Sequence, residues 1–376
     1  MPPIYIRGDY QSCPIPISCD PYTICFYKCK YCFILEMYGG LLKKQAEKGI
    51  QPYPTEPLQR ILKRAFSKKE SKNPVVLGLR AGLPVIVGRK CEPFCPLENE
   101  TKTTVRFLRL FKEYGIKVVV ETKCTPNIDE ISELVDGVLV SVMFGEEVLH
   151  DNFEPNTPSF ADRFKFAKQL KETGLWVGLC AEPVMMGINS SEQQISEYAN
   201  NAFDVFPDHI VFGDYRVHNP KIAYRNFSQS GYDFLEVIRQ KINWVKTAEF
   251  IFKTFREQGL KCSTTDWVNF TLKNDTEACC GDKFGFHKFT FQRALRILNE
   301  KGEVQWNDMV KNNVFGASYE NKFRNIWNGK KGYYCLKDVD GIVSSHCRGD
   351  AIYCTGKKGN SKKVGAKNLW EVFSKC

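Results

Sequence analysis

Between residues 118 and 213 the chain carries four apolar runs, Val118-Val-Val-Glu121, Gly137-Val-Leu-Val-Ser-Val142, Trp176-Val-Gly-Leu-Cys180 and His209-Ile-Val-Phe-Gly213, set apart by longer polar stretches. Runs this short and this continuously apolar fit strands covered on both faces. The stretches between them have helical spacing. Ile128–Leu134 reads as a short helix, Phe160, Phe164, Ala167 and Leu170 share one stripe closed by Gly174, and Ile195, Tyr198, Ala199 and Ala202 share another. Strand followed by helix, repeated, means β/α units with a parallel sheet. Toward the N-terminus, Val105, Leu108, Phe111 and Tyr114 mark a helix face before Gly115, while Val75–Leu79 and Pro84–Val87 read as strands. The expected class is α/β, a sheet or barrel covered by helices, with its site at the carboxyl ends of the strands.

After about residue 215 the rhythm breaks. Helical stripes persist at Phe234–Ile242, Ala248–Phe255 and Phe291–Leu298, but Gly, Asn and Cys become frequent. A boundary near residue 260 is expected, dividing a core of residues 1–260 from a cysteine-rich, basic region of residues 261–376.

With 376 residues, 43% apolar and 26% charged, the chain can bury a core. Its richest apolar run, Trp176–Ile188, is interrupted by Glu182 and Pro183 and falls short of the ~18 residues a membrane helix needs. Met1–Arg7 lacks the basic-then-apolar order of a signal peptide, so a cytoplasmic protein with no membrane contact is expected. The net charge of +10 is concentrated: Asn321–Cys376 holds 12 Lys and Arg against 4 Asp and Glu. Interleaved with Tyr333, Tyr334 and Tyr353, that charge suits a nucleic-acid partner, and it equally describes a solvated basic tail.

Sixteen cysteines in a chain with no export signal point to metal or to small buried hydrophobes rather than to disulfide staples. Spacing separates the cases at Cys25-Phe-Tyr-Lys-Cys29-Lys-Tyr-Cys32. Three thiolates on one compact loop can each hold a different iron of a [4Fe–4S] cluster, leaving the last iron open to a chelating cofactor. Zinc is the rival, although structural zinc sites are usually built from two such pairs. A second group, Cys262, Cys279, Cys280, Cys335, Cys347 and Cys354, could hold a further iron–sulfur cluster or a zinc ion, or remain unliganded. The five histidines show no metal spacing, and no glycine-rich loop with Lys and Ser/Thr supports nucleotide hydrolysis. Asp214 and Arg216, just past the His209–Gly213 run, are placed at the mouth of such a fold, touching substrate or pairing with each other.

The C-x3-C-x2-C run resembles the defining motif of the radical S-adenosylmethionine superfamily. Cys19-Asp-Pro-Tyr-Thr-Ile-Cys25 through Phe33 resembles the opening of its spore photoproduct lyase and DNA-repair photolyase-like group. Pro84–Gly88 followed by Glu92-Pro-Phe94, Glu121-Thr-Lys123, Ser141-Val-Met, Glu154-Pro-Asn-Thr-Pro158 with Arg163, and Glu182-Pro-Val184 through Asn189 resemble that group's later segments, in order over about residues 19–215. The resemblance implies a partial (β/α)6 TIM-type barrel with a cysteine-rich C-terminal extension. It implies a [4Fe–4S] cluster on Cys25, Cys29 and Cys32, and S-adenosylmethionine bordered by Tyr31, Glu92, Lys123, Ser141, Glu154, Arg163 and Val184. A flavodoxin- or ferredoxin-like reductant would deliver the electron that releases a 5′-deoxyadenosyl radical, which takes hydrogen from a nucleic acid or nucleotide. A peptide or small metabolite is the alternative substrate, and a zinc-stabilised nucleic-acid-binding protein the non-catalytic alternative. The group's hydrogen-donating cysteine falls on Arg89 here; Cys91 or Cys95 could take that role, and equally both could be structural or ligate a metal.

Overall fold

The computed structural model describes residues 3–7, 13–37, 48–266, 270–301 and 304–327, with four short strands beyond them. An eight-stranded sheet organises the chain: β1 (Ile4–Ile6), β2 (Ile17–Cys19), β3 (Val85–Val87), β4 (Val118–Thr122), β5 (Gly137–Ser141), β6 (Trp176–Val184), β7 (His209–Asp214) and β8 (Cys262–Thr264). Its spatial order is the chain order, β1 to β8. Only β1 runs antiparallel; β2 through β8 are parallel, each beside the next. A strand order that never reverses winds the sheet one way, as in a barrel, and has no switch point of the doubly wound kind. Because β1 and β8 are opposite edges, the barrel is partial. Six β/α units, β2 to β7, are followed by β8 as a seventh parallel strand, which lies past the boundary expected near residue 260.

Alternation along each strand sorts the core into two layers. Val85, Val87, Val118, Val120, Val138, Val140, Leu179 and Phe212 face outward into the large core shared with the helices. Ile86, Val119, Leu139, Cys180 and Val211 face inward, against Cys279 and Phe284 from the chain after β8. These residues are buried on both faces, which is why the strands read as apolar runs. The helix Phe160–Glu172, capped by Ser159 Oγ accepting from Asp162 N, buries Phe160, Phe166, Ala167 and Leu170 and also Arg163.

Val75–Leu79 departs from expectation: it lies in the helix Pro74–Arg80, not in a strand. Pro74 stands in the first turn, and Asn73 Oδ1 accepts from Val75 N and Val76 N at 2.9 and 3.3 Å, so the cap overrides the β-branched bias of the run. A short apolar run buried on all sides has no periodicity to separate the two forms.

Candidate cofactor site at the barrel mouth

The loop from Cys25 to Cys32 lies at the carboxyl end of β2 and is pinned from several sides. Lys30 N donates to Phe153 O (2.9 Å), Asn226 Nδ2 to Lys30 O (2.9 Å), and Asn156 Nδ2 to Tyr27 O (3.3 Å). Lys28 takes the left-handed backbone region (φ 54°), which lets the loop turn between Cys25 and Cys29. Cys32 opens the helix Phe33–Met37, where Leu35 N and Glu36 N donate to its carbonyl. Glu36 then accepts from Tyr215 Oη, His218 N and Asn219 N, tying this helix to the loop after β7.

The three thiols lie within electrostatic reach of one another. Burial raises the Cys25 thiol to about 12 and pushes those of Cys29 and Cys32 up as well, while Leu35 N and Ile34 N pull against it at Cys32. Thiols like these ionise when a metal takes their sulfurs. Among the described residues no three His, Cys, Asp or Glu side chains close around a single ion. The Tyr31 hydroxyl, beside them in sequence, is buried and has no hydrogen-bond partner among the described residues, as expected where a polar group from a bound molecule belongs. The donor set and this orphaned hydroxyl therefore fit a cluster with an adjacent cofactor.

Next to the loop stands a buried charge network. Lys123, just past β4, has its Nζ 2.6 Å from Ser141 Oγ and 2.9 Å from Glu154 Oε1, and 5.5 Å from the Tyr31 ring centroid. Arg163 is fully buried: Nη2 donates to Glu154 Oε2 (2.5 Å) and Thr157 Oγ1 (3.0 Å), Nη1 to Ser141 O (2.7 Å), and Nε to Pro158 O (2.9 Å). Burial pulls the Lys123 ammonium down and pushes the Glu154 carboxyl up, the latter opposed by Arg163. Such a triad is held in place because losing one member strands the others in low dielectric.

The remaining expected residues divide. Glu92 is buried and acts as a strap, accepting from Thr122 Oγ1 (2.5 Å), Lys123 N (2.9 Å) and Phe94 N (3.1 Å). The Val184 carbonyl accepts from Tyr215 N at 2.9 Å. Cys91 and Cys95 pack with Tyr22 in a small cluster touching Cys25, and Cys91 Sγ lies 3.8 Å from Asp20 Oδ1. Asp214 pairs with Lys241 (2.8 Å), and Arg216 Nη2 donates to Thr265 O (2.7 Å). Of the second cysteine group, Cys262 packs in the outer core while Cys279 and Cys280 pack inside the barrel, so these three do not converge. Cys335 and Cys354 fall on the short strands Tyr334–Leu336 and Tyr353–Thr355; Cys347, like Tyr333 and most of the basic segment, lies outside the described residues. Glu36 and Asn226 were missed at sequence level; the signal for Glu36 was a lone acid in an otherwise apolar helix, and Asn226 offered none.

No protein-family model matches the chain, and no curated protein matches it. Among solved structures the chain is similar to Streptococcus suis SuiB bound to S-adenosylmethionine (18% identity, 67% of this chain, 47% of that one, TM-score 0.43). It is similar to SuiB bound to precursor peptide SuiA (17%, 70% and 51%, TM-score 0.45) and to spore photoproduct lyase complexed with dinucleoside spore photoproduct (14%, 61% and 65%, TM-score 0.45). The chain thus spans about half the length of the SuiB chains and 65% of the lyase. No helix among the described residues is long and apolar enough to cross a membrane. These are likenesses of architecture, and the site stands on its own geometry: three mutually close thiols on one pinned loop, beside a buried Lys–Glu–Arg network at the barrel mouth.

Proposed function

We propose that the chain is a radical S-adenosylmethionine enzyme in which Cys25, Cys29 and Cys32 hold a [4Fe–4S] cluster. When bound, the cluster supplies one electron to S-adenosylmethionine and so yields the 5′-deoxyadenosyl radical that removes hydrogen from substrate. The observation that carries this reading is the set of three thiols on one pinned loop, next to the orphaned Tyr31 hydroxyl.

The chain's own residues do the positioning. Asn226, Asn156 and Phe153 O fix the loop backbone, and hence the thiol directions. Lys123 places a cation beside Cys29, offsetting thiolate charge there. Arg163 and Ser141 hold Glu154 and Lys123 in register, so the charge facing the loop is fixed before any cofactor arrives. Tyr31 offers its hydroxyl, unpartnered among the described residues, to an adenine or ribose. The substrate favoured is a nucleic acid or nucleotide, supported by the 12 Lys and Arg against 4 Asp and Glu of Asn321–Cys376.

The test is anaerobic reconstitution, iron analysis, then dithionite and S-adenosylmethionine. About four irons per chain and release of 5′-deoxyadenosine are expected, with both lost in Cys29→Ala while circular dichroism is retained. A colourless wild-type protein that binds zinc overturns the reading. Nucleic-acid affinity that does not fall with added salt removes the substrate assignment and leaves a peptide or small metabolite.

A further inference from the structure

The inside of the barrel holds a second pair of sulfurs that the mouth does not use. The chain after β8 folds back so that Cys279 and Phe284 pack against the inward-facing Ile86, Val119, Leu139 and Val211, closing the barrel from below. Cys279 Sγ and Cys280 Sγ lie 4.0 Å apart, the first buried and the second half-buried. The loop that presents them is locked. His209 Nε2 meets Cys279 O at 3.1 Å, Thr276 Oγ1 donates to Ala278 O (2.7 Å), and Gly281 N donates to Ala278 O (2.8 Å). Gly281, at φ +87°, packs so closely on Trp176 that a Cβ there would sit 2.7 Å from the indole. Arg89, ion-paired with Glu121, stands within electrostatic reach of the Cys280 sulfur, as does Glu182.

We propose that Cys279 and Cys280 form a redox-active dithiol inside the barrel, which closes reversibly into a vicinal disulfide by exchange with a low-molecular-weight disulfide. Cys280 is the attacking thiol. It is the more exposed of the two, and Arg89 favours its thiolate. The Cys279 thiol is pushed up by its contact with the Cys280 sulfur and by burial, so it waits as the resolving group.

The exchange balances in two displacements. The Cys280 thiolate attacks one sulfur of R–S–S–R, forming Cys280–S–S–R and expelling RS⁻, which takes up the proton lost from Cys280. Cys279 then loses its proton and attacks the Cys280 sulfur, closing the Cys279–Cys280 bond and expelling the second RS⁻, which is protonated in turn. Two thiols of the protein are oxidised and one small disulfide is reduced to two thiols.

Strain decides what kind of disulfide results. Adjacent Cα atoms are about 3.8 Å apart across a trans peptide, whereas disulfides usually span about 4.4–6.8 Å between Cα atoms. The closed ring is therefore strained and readily reduced, the mark of a labile pair rather than a staple. The competing view, two inert buried thiols, predicts independent alkylation and no exchange. The proposal is separate from the cluster reading, because its chemistry is read without S-adenosylmethionine.

The experiment uses the full reconstituted chain under nitrogen, with iron content followed throughout. Hydroxyethyl disulfide is added in increasing excess, the sample is acid-quenched and alkylated with N-ethylmaleimide, and the peptide carrying Cys279 and Cys280 is weighed. The expected result is loss of both alkylations together, giving a peptide two hydrogens lighter, reversed by a small excess of dithiothreitol. In Cys279→Ser a stable mercaptoethanol adduct on Cys280 is expected, since nothing resolves it. In Cys280→Ser no adduct on Cys279 is expected. Wild-type thiols that stay fully alkylated at every ratio, or a stable wild-type adduct on Cys280, overturn the proposal. An unmodified Cys280 in folded Cys279→Ser overturns the assignment of the attacking sulfur.

Discussion

The two ends of the barrel are built from different physics. At the mouth, side chains are held by charge and hydrogen bonds, several to each group: Arg163 alone makes four, to Ser141 O, Glu154, Thr157 and Pro158 O. At the floor, close packing joins the hydrogen bonds of the Cys279 loop. The Phe284 and Trp176 rings meet edge to face at 5.2 Å, and both crowd Gly137, where a Cβ would lie 2.7 Å from Phe284. Directional bonds fix atoms to fractions of an ångström, which a site that orients a cofactor needs; close packing excludes water but tolerates small rotations. The lesson is that the mouth depends on each partner being present, and the floor on each volume being right.

The sharpest way to break this contrast is Arg163→Ala. It leaves the fully buried Glu154 with Lys123 as its one remaining cation among the described residues, and a loss of about 3–5 kcal/mol in urea unfolding is expected. A change below 1 kcal/mol would mean that the mouth relaxes around a missing charge. Phe284→Ala tests the other end. It empties a buried site against Trp176 and should cost about 3–5 kcal/mol through the cavity left behind. The two are set apart by a partial rescue: Arg163→Lys should recover little, having no fork for two acceptors, whereas Phe284→Leu should recover most of its loss.

Protonation provides the next effect. His209, on the inward face of β7, has its ring pulled down to about 4, first by burial and in part offset by its bond to Cys279 O. The folded state therefore prefers the neutral ring, while the unfolded chain binds the proton near its ordinary value of about 6.5. The stability this gives is present above that value and is lost as pH falls toward 4, by roughly 3 kcal/mol in all. The difference in unfolding free energy between wild type and His209→Gln, followed over that window, should shrink as the pH drops; a constant difference would place a water or a charged partner at the ring. Gly281→Ala is the smallest step, an overpacking against Trp176 at a positive φ, with about 1–3 kcal/mol expected from thermal unfolding.

Much of the architecture was legible because burial on both faces leaves a direct mark. Val118-Val-Val and Gly137-Val-Leu-Val are strands because nothing in them could face water. The same property misled at Val75–Leu79, where full burial erased periodicity and only the Asn73–Pro74 cap spoke for a helix. For the site, spacing alone was enough at Cys25, Cys29 and Cys32, since three thiols so close in sequence must stay close in space. It was not enough at Cys262 and Cys279–Cys280, which are near in sequence yet lie on opposite faces of the sheet. Nor could it show that Glu92 spends both oxygens on Thr122, Lys123 and Phe94.

What the sequence determined by itself was local and periodic: the β/α alternation, the thiol loop, and the basic bias of the last residues. Those follow from contacts a few residues apart, or from a repeat that any fold must respect. What the tertiary structure decided was every partnership across the barrel. Lys123 with Glu154, Arg163 with Ser141, and the floor formed by Cys279 and Phe284 under β3 to β7 join positions far apart in the chain. Such pairs come together only when the parallel sheet curls, because curvature, not sequence spacing, sets which inward side chains meet.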